Sequence, residues 1–232
     1  MHGTNPAHGG ALLKLHTGSD TFVRPSMGAW VSYGLGTENT DLPAFLTICP
    51  TLAHGGVNNW GSAFLPAWCQ GTPLGNASVS AEQAVVRHIK NPRTPTPLQR
   101  AAARPRLATS TTASRGRRGA TRRSRPGSSP SSWPSACKAR MPEMQGIEGE
   151  TEATQKMYGL DDPVTANFGR QCLMARRFAE RGVRFMQVTH SDSFVQWDQH
   201  GDLLKGHTKN AAEVDKPIAG LLARSPRTRP AR

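Results

Sequence analysis

The sequence predicts an α/β fold, with a mainly parallel sheet flanked by helices and interrupted by a disordered Arg-rich segment. Three observations carry this. Residues 162–222 read helix, strand, helix with short joins, the repeating unit of such sheets. Residues 43–49 (PAFLTIC) are a short apolar run closed by Pro50, the pattern of a buried strand. Residues 98–140 hold ten Arg and one Lys without any acid, and little else but Ala, Ser, Thr, Pro and Gly. So few apolar groups cannot offset the entropy of ordering that stretch.

In chain order, residues 1–97 form the first part of the domain. Residues 6–15 (PAHGGALLKL) suit a short helix, with Thr4 or Asn5 as cap and Pro6 in the first turn. Residues 27–35 (MGAWVSYGL) alternate loosely and fit a helical turn packed under that segment equally well. Residues 54–66 read as a loop carrying Trp60, and the prolines of 92–97 mark a turn or extended chain.

Residues 141–221 form the second part of the same domain. Asp162 and Pro163 read as the cap and first residue of a helix over 162–181. Val164, Phe168, Cys172, Ala175, Phe178 and Ala179 share its apolar face, and Gly182 ends it. A strand follows over 183–190 (VRFMQVTH). A second helix over 203–222 shows a stripe of Leu204, His207, Ala211, Val214, Ile218, Leu221 and Leu222. The tail 222–232 (LARSPRTRPAR) reads as disordered and basic.

The charge follows this division. The chain is formally +13, with 29 basic and 16 acidic residues, yet 15 of the basic residues lie in 98–140 and 222–232. The remainder has 14 basic against 16 acidic residues, a formal charge of −2. A nucleic-acid-binding domain would spread its Lys and Arg over a folded face instead. The Arg-rich segment on its own implies non-specific contact with polyanions, weakened by salt. No run of 18 apolar residues is present, so no membrane span is expected. The N-terminus has no signal-peptide pattern, which places the chain in the cytoplasm if it is expressed as given. Four Cys without C-x-x-C spacing argue against a zinc ribbon.

Two stretches offer chemistry. The loop 190–200 (HSDSFVQWDQH) places two His and two Asp just beyond a predicted strand's carboxyl end, where sites of α/β sheets form. Asp198 and His200, two apart, can reach one divalent ion from an extended loop. The competing reading makes Asp198 the cap of the next helix, His200 a surface residue and Trp197 core. The second stretch is Thr4-Asn5-Pro6-Ala7-His8, where a hydroxyl or amide at a helix start meets backbone N–H groups that favour an anion. His8 there is a base or a ligand, or a solvent histidine beside a cap. His16, His54, His88 and His207 stand singly and read as structural, His207 as a packing residue.

Two blocks carry a resemblance. MHGTNPAHGGALLKLHTGSDTFVRPSMGAWVSYGLGTEN, with DLPAF and GGVNNWGSAFLPAWCQG, resembles the uncharacterised secreted family known as domain of unknown function 1501. So does YGLDDPVTANFGRQCLMARRFAERGVRFMQV, with WDQHGDL and AAEVDKPIAGLL. The resemblance implies a partial alkaline phosphatase-like fold and metal-dependent hydrolysis of phosphate or sulfate esters, in an extracytoplasmic or periplasmic setting. It sets Thr4 at the position of the catalytic nucleophile and His8 at that of a conserved arginine. Sulfatases need Cys or Ser there for conversion to formylglycine, and Thr4 departs from that pattern. Asp198 and His200 resemble the paired ligands of the superfamily's metal centre, implying zinc or calcium, weakly bound.

The same comparison implies a fragment. The family's upstream strand and its later strand and histidines have no counterpart here, and two changes of reading frame would account for 98–140 and the tail. A chain with half a site is expected to be inactive alone. The alternatives are a polyanion- or nucleic-acid-binding protein acting through the basic segment, and a secreted structural or binding protein that has lost catalysis.

Overall fold

Three parallel strands, β1 (Phe45–Ile48), β2 (Thr72–Leu74) and β3 (Phe185–Val188), form one sheet in the order β2–β1–β3. The computed structural model describes residues 5–38, 42–84, 144, 146–191 and 196–223; the segment 98–140 and residues 224–232 of the tail lie outside them. β1 aligns Leu46 with Thr72 on one side and Phe45 with Phe185 on the other. Strands of both sequence blocks therefore pair directly. All four residues of β1 are buried, as expected of a central strand covered on both faces. Pro73 fits in β2 because β2 is an edge strand here, where a missing N–H costs no ladder bond.

Among the described residues five α-helices accompany the sheet: α1 (His8–Thr17), α2 (Met27–Leu35), α3 (Glu152–Met157), α4 (Ala166–Glu180) and α5 (Leu203–Ala223). Residues 27–35 are a full helix, capped by Ser26, whose Oγ accepts from the Ala29 N–H. Gly28 brings α2 onto the sheet: a Cβ there would lie 2.6 Å from the Phe45 ring and 2.7 Å from Phe185. Those two rings pack edge to face at 5.2 Å.

The helix expected from Asp162 begins later, at Ala166 with Thr165 as cap residue. Asp162 Oδ1 accepts instead from the Val164 N–H at 2.9 Å, closing a local turn around Pro163. Val164 is consequently half exposed, whereas Phe168, Cys172, Ala175 and Phe178 are buried as their spacing requires. Gly182 ends the helix at φ 82°, and Val183 N–H returns to the Phe178 carbonyl at 3.0 Å, a Schellman closure. Tyr158, Phe168, Cys172 and Leu173 form a core against which Val188 of β3 and Val214 and Leu221 of α5 pack.

The inward face of α5 matches the apolar stripe only in part, at Val214 and Leu221. Asn210, Pro217 and Gly220 face inward, whereas Leu204 is 80% exposed and Ile218 and Leu222 are exposed as well. Close backbone approach sets this orientation, since a Cβ on Gly220 would lie 2.7 Å from the Met157 carbonyl oxygen. Among the described residues no helix is long and apolar enough to cross a membrane.

Cys49, Cys69 and Cys172 are buried and form no disulfide. Burial pushes the Cys172 thiol up to about 12, and Cys49 and Cys69 to about 11. All three are expected to stay protonated and unmodified by iodoacetamide at pH 8 until denaturant is added, as peptide mapping would show. Labelling of any of them in the native protein would contradict this packing.

Candidate metal centre at the strand ends

The carboxyl ends of the adjacent strands β1 and β3 open into two loops, and the first turn of α1 lies beside them. The loop after β1 runs through Cys49, at φ 47°, to His54, at φ 54°. The Asn59 side chain fixes its end by donating to the His54 carbonyl at 3.0 Å. Gly55, at φ 101°, makes room for that amide, since a Cβ would lie 2.6 Å from Asn59 Oδ1. α1 rests on this loop: the Cβ position of Gly9 is 3.7 Å from the His54 Cα.

Helix α1 starts two residues after Pro6, with Ala7 as cap residue. Asn5 prepares this start by accepting from the Ala7 N–H at 2.9 Å and donating to Asp20 at 3.0 Å. The Asn5 amide in turn holds the Asp20 carboxyl below its ordinary range. His8 is thereby placed at the first position of the helix. Thr4, the other predicted catalytic residue, lies outside the described residues, as does Asp192.

The loop after β3 is clamped onto α5. Trp197 Nε1 donates to His190 Nδ1 at 3.0 Å. An indole N–H can only donate, so Nδ1 is the acceptor and His190 carries its proton on Nε2, which faces Glu213 Oε2 at 2.9 Å. Gln196 donates to the same carboxylate at 2.9 Å, and Asn210 donates to the Gln196 carbonyl. His207 is exposed, and it packs on the loop rather than in the core: its Nε2 donates to the Trp197 carbonyl at 3.1 Å and its ring centre lies 5.9 Å from that of Trp197. His190 also meets Phe168 edge to face at 5.0 Å, tying the loop to the core. Glu213, Asn210 and Gln196 escaped the sequence reading. The spacing 207, 210, 213 marks one polar helical face and was the available signal.

The alternative role for Asp198 is taken by another residue. Asp202 caps α5, accepting from the Lys205 N–H at 3.1 Å, and Trp197 is exposed rather than core. Asp198 turns instead toward two imidazoles. Its Oδ2 lies 2.7 Å from His8 Nε2 and 2.6 Å from His200 Nε2. One ligand atom from each of these three residues lies within 4.8 Å of the other two. The structure thus brings His8, read as catalytic, to the two residues read as metal ligands. His200 is largely exposed, and Asp198 is the most enclosed of the three. The His54 ring packs edge to face on His8, with centroids 5.2 Å apart.

No curated protein and no solved structure matches this chain. A family model described as "Protein of unknown function (DUF1501)" matches residues 1–224, which is most of the sequence. The chain belongs to the DUF1501 family.

Proposed function

We propose that His8, Asp198 and His200 bind one divalent ion, zinc, and that this centre serves the hydrolysis of phosphate esters. The convergence of these three side chains, from segments nearly 200 residues apart, carries the reading. Two imidazoles and a carboxylate suit zinc, whereas calcium prefers an all-oxygen shell. Ligand atoms at about 2.0–2.1 Å from a tetrahedral ion lie about 3.3 Å apart. The shared Asp198 contacts of 2.6 and 2.7 Å are therefore a hydrogen-bonded, closed form that opens by under about 1 Å to admit the ion.

The site's place beyond the ends of parallel strands supports a catalytic setting, and three protein ligands leave room for substrate. A bound zinc ion supplies Lewis-acid polarisation of an ester oxygen. The resemblance to the alkaline phosphatase and sulfatase superfamily supplies the substrate class and the role of Thr4. A threonine hydroxyl cannot become formylglycine, which favours phosphate over sulfate esters. His190, Glu213 and Gln196 act by holding the loop that presents Asp198 and His200.

Calorimetric titration of the metal-free chain with zinc tests the centre. Asp198→Ala is expected to weaken binding by more than about 100-fold, exceeding the 10–100-fold typical of outer-shell changes. Equal affinity in the variant would refute the site. Hydrolysis of an aryl phosphate in preference to an aryl sulfate by the zinc-loaded chain tests the activity. Zinc binding with turnover of neither ester would reduce the function to metal binding.

A further inference from the structure

We infer that the exposed aromatic face made by α2 and the loop 61–68 pairs with the same face of a second copy of this chain. Four rings form one connected surface there. Phe64 meets Trp30 at 5.9 Å between ring centres, Trp30 meets Tyr33 at 6.3 Å, and Tyr33 stacks on Trp68 at 6.5 Å and an angle of 23°. Trp30, Tyr33 and Phe64 are nevertheless 47%, 52% and 71% exposed, and Met27, one turn before Trp30, is half exposed. α2 buries Gly28, Ala29 and Ser32, so it keeps its small residues for the sheet and turns its large ones to solvent. That reverses the usual arrangement of an amphipathic helix, and a contiguous apolar patch of this kind marks an interaction surface. The backbone holds the rings in place. The Ser26 N–H donates to the Gly61 carbonyl at 3.0 Å, tying the start of α2 to the loop, and the Leu65 N–H closes a turn on the Ser62 carbonyl at 2.8 Å. Ala63 in that turn takes φ 46°, strain that is kept where the next side chain, Phe64, must stand out from the surface. A face fixed in this way loses little freedom on docking.

Charge and area select the partner. Residues 25–37 and 55–81, which hold α2 and the whole loop, contain no Lys, Arg, His, Asp or Glu, although 19% of the chain is charged. Such a face offers nothing for a polyanion or a charged peptide to recognise. It meets its own copy across a twofold axis without the repulsion that a charged face suffers there. Its aromatic and Met content, free of charge, is that of an interface core. At about 200 Å² for each fully bared side chain, Met27, Trp30, Tyr33 and Phe64 offer about 450 Å². With the exposed residues 66 and 67 and the partly bared Trp68, two such faces bury about 1,100 Å², beyond the roughly 1,000 Å² of a specific contact and below the standard size. A reversible dimer of micromolar affinity follows, and it needs no metal.

Sedimentation velocity of the full chain, in about 0.5 M salt to suppress polyanion bridging through the Arg-rich segment, is the test. Between about 1 and 200 μM the chain is expected to pass from monomer to dimer. Phe64→Lys and Trp30→Lys each place a charge on the face at an exposed position. Each is expected to weaken association at least about 100-fold, leaving a monomer throughout that melts where the parent does. An equimolar mixture of Phe64→Lys and Phe64→Glu is expected to associate again, although each alone stays monomeric, because the same patch meets itself. A parent chain monomeric at every concentration, or Lys variants that dimerise as the parent does, would overturn the pairing. Retention of a monomeric parent on a neutral polysaccharide, lost in Trp30→Lys, would assign the rings to sugar stacking and overturn it as well.

Discussion

Glu150→Ala is expected to lower the unfolding free energy by about 3–5 kcal/mol, read from the urea midpoint and slope. Arg176 and Arg177 lie side by side on α4 and are nearly buried, with side-chain exposures of 6% and 9%. One oxygen of Glu150, itself 11% exposed, accepts from Arg177 Nε at 2.9 Å and from the Arg176 guanidinium. Arg177 also donates to the Glu148 and Gly146 carbonyls, so this one knot ties the segment 146–150 to α4. Removing the carboxylate leaves two adjacent, poorly solvated cations without their shared counter-charge. Among the described residues Arg176 retains the Tyr158 ring, at 5.7 Å, and a half-exposed Glu180 at 3.7 Å. Glu180→Ala is the control and should cost less than about 0.5 kcal/mol, as surface pairs one helical turn apart do. Adding Arg177→Met to Glu150→Ala should recover part of the loss, because the penalty is an uncompensated charge rather than a missing attraction. A change under about 1 kcal/mol in Glu150→Ala would show that water reaches these guanidinium groups.

This knot was invisible in the sequence, as was much of what positions the site, and the reasons are physical. β1 was legible because a short apolar run before a proline has few other homes in an α/β domain. β3 and α5 were legible for the same kind of reason, a change of period at Gly182 and again after Gly201. The start of α4 was misplaced because an Asp-Pro pair serves a turn as well as a helix cap. Only the direction of the Asp162 side chain, toward the Val164 N–H, distinguishes the two. β2 went unread because Pro73 disguises an edge strand. The face of α5 was legible only in part: Val214 and Leu221 of the stripe reach the core, but backbone proximity at Gly220 turned Leu204, Ile218 and Leu222 outward.

The candidate site divides in the same way. Asp198 and His200 lie two apart in one loop, so their spacing announced them. His8 joins them only through the tertiary fold, and nothing in the neighbourhood of residue 8 names residue 198. The cap of α5 could have been assigned to Asp198 or Asp202 by sequence. Its assignment to Asp202 is what leaves Asp198 available for two imidazoles.

Gly169→Ala is expected to destabilise the protein by about 2–3 kcal/mol and to weaken zinc binding with it. A Cβ at this position would lie 2.2 Å from the Tyr158 carbonyl oxygen and 3.1 Å from Leu160 Cδ2. That oxygen belongs to backbone, and the backbone is held. Tyr158 is fully buried, Gly159 follows at φ 69°, and the Gly159 carbonyl accepts from the Thr165 hydroxyl at 2.6 Å. Relief must therefore come from α4 moving outward. Phe168, next to Gly169 on that helix, packs against His190, whose ring orders Trp197 and Glu213 around the loop that carries Asp198 and His200. A displaced α4 loosens that support, so zinc affinity should fall with stability, by up to about 10-fold. Gly34→Ala makes the same chemical change in α2, where a new Cβ meets nothing within 4 Å. It should stabilise by about 0.5–1 kcal/mol through reduced freedom of the unfolded chain, with zinc affinity unaltered. Opposite signs from one substitution, measured by thermal melting and calorimetry, would place the constraint in the crossing of α4 beneath residue 158. Matching small effects at both positions would mean that α4 does not approach this backbone so closely.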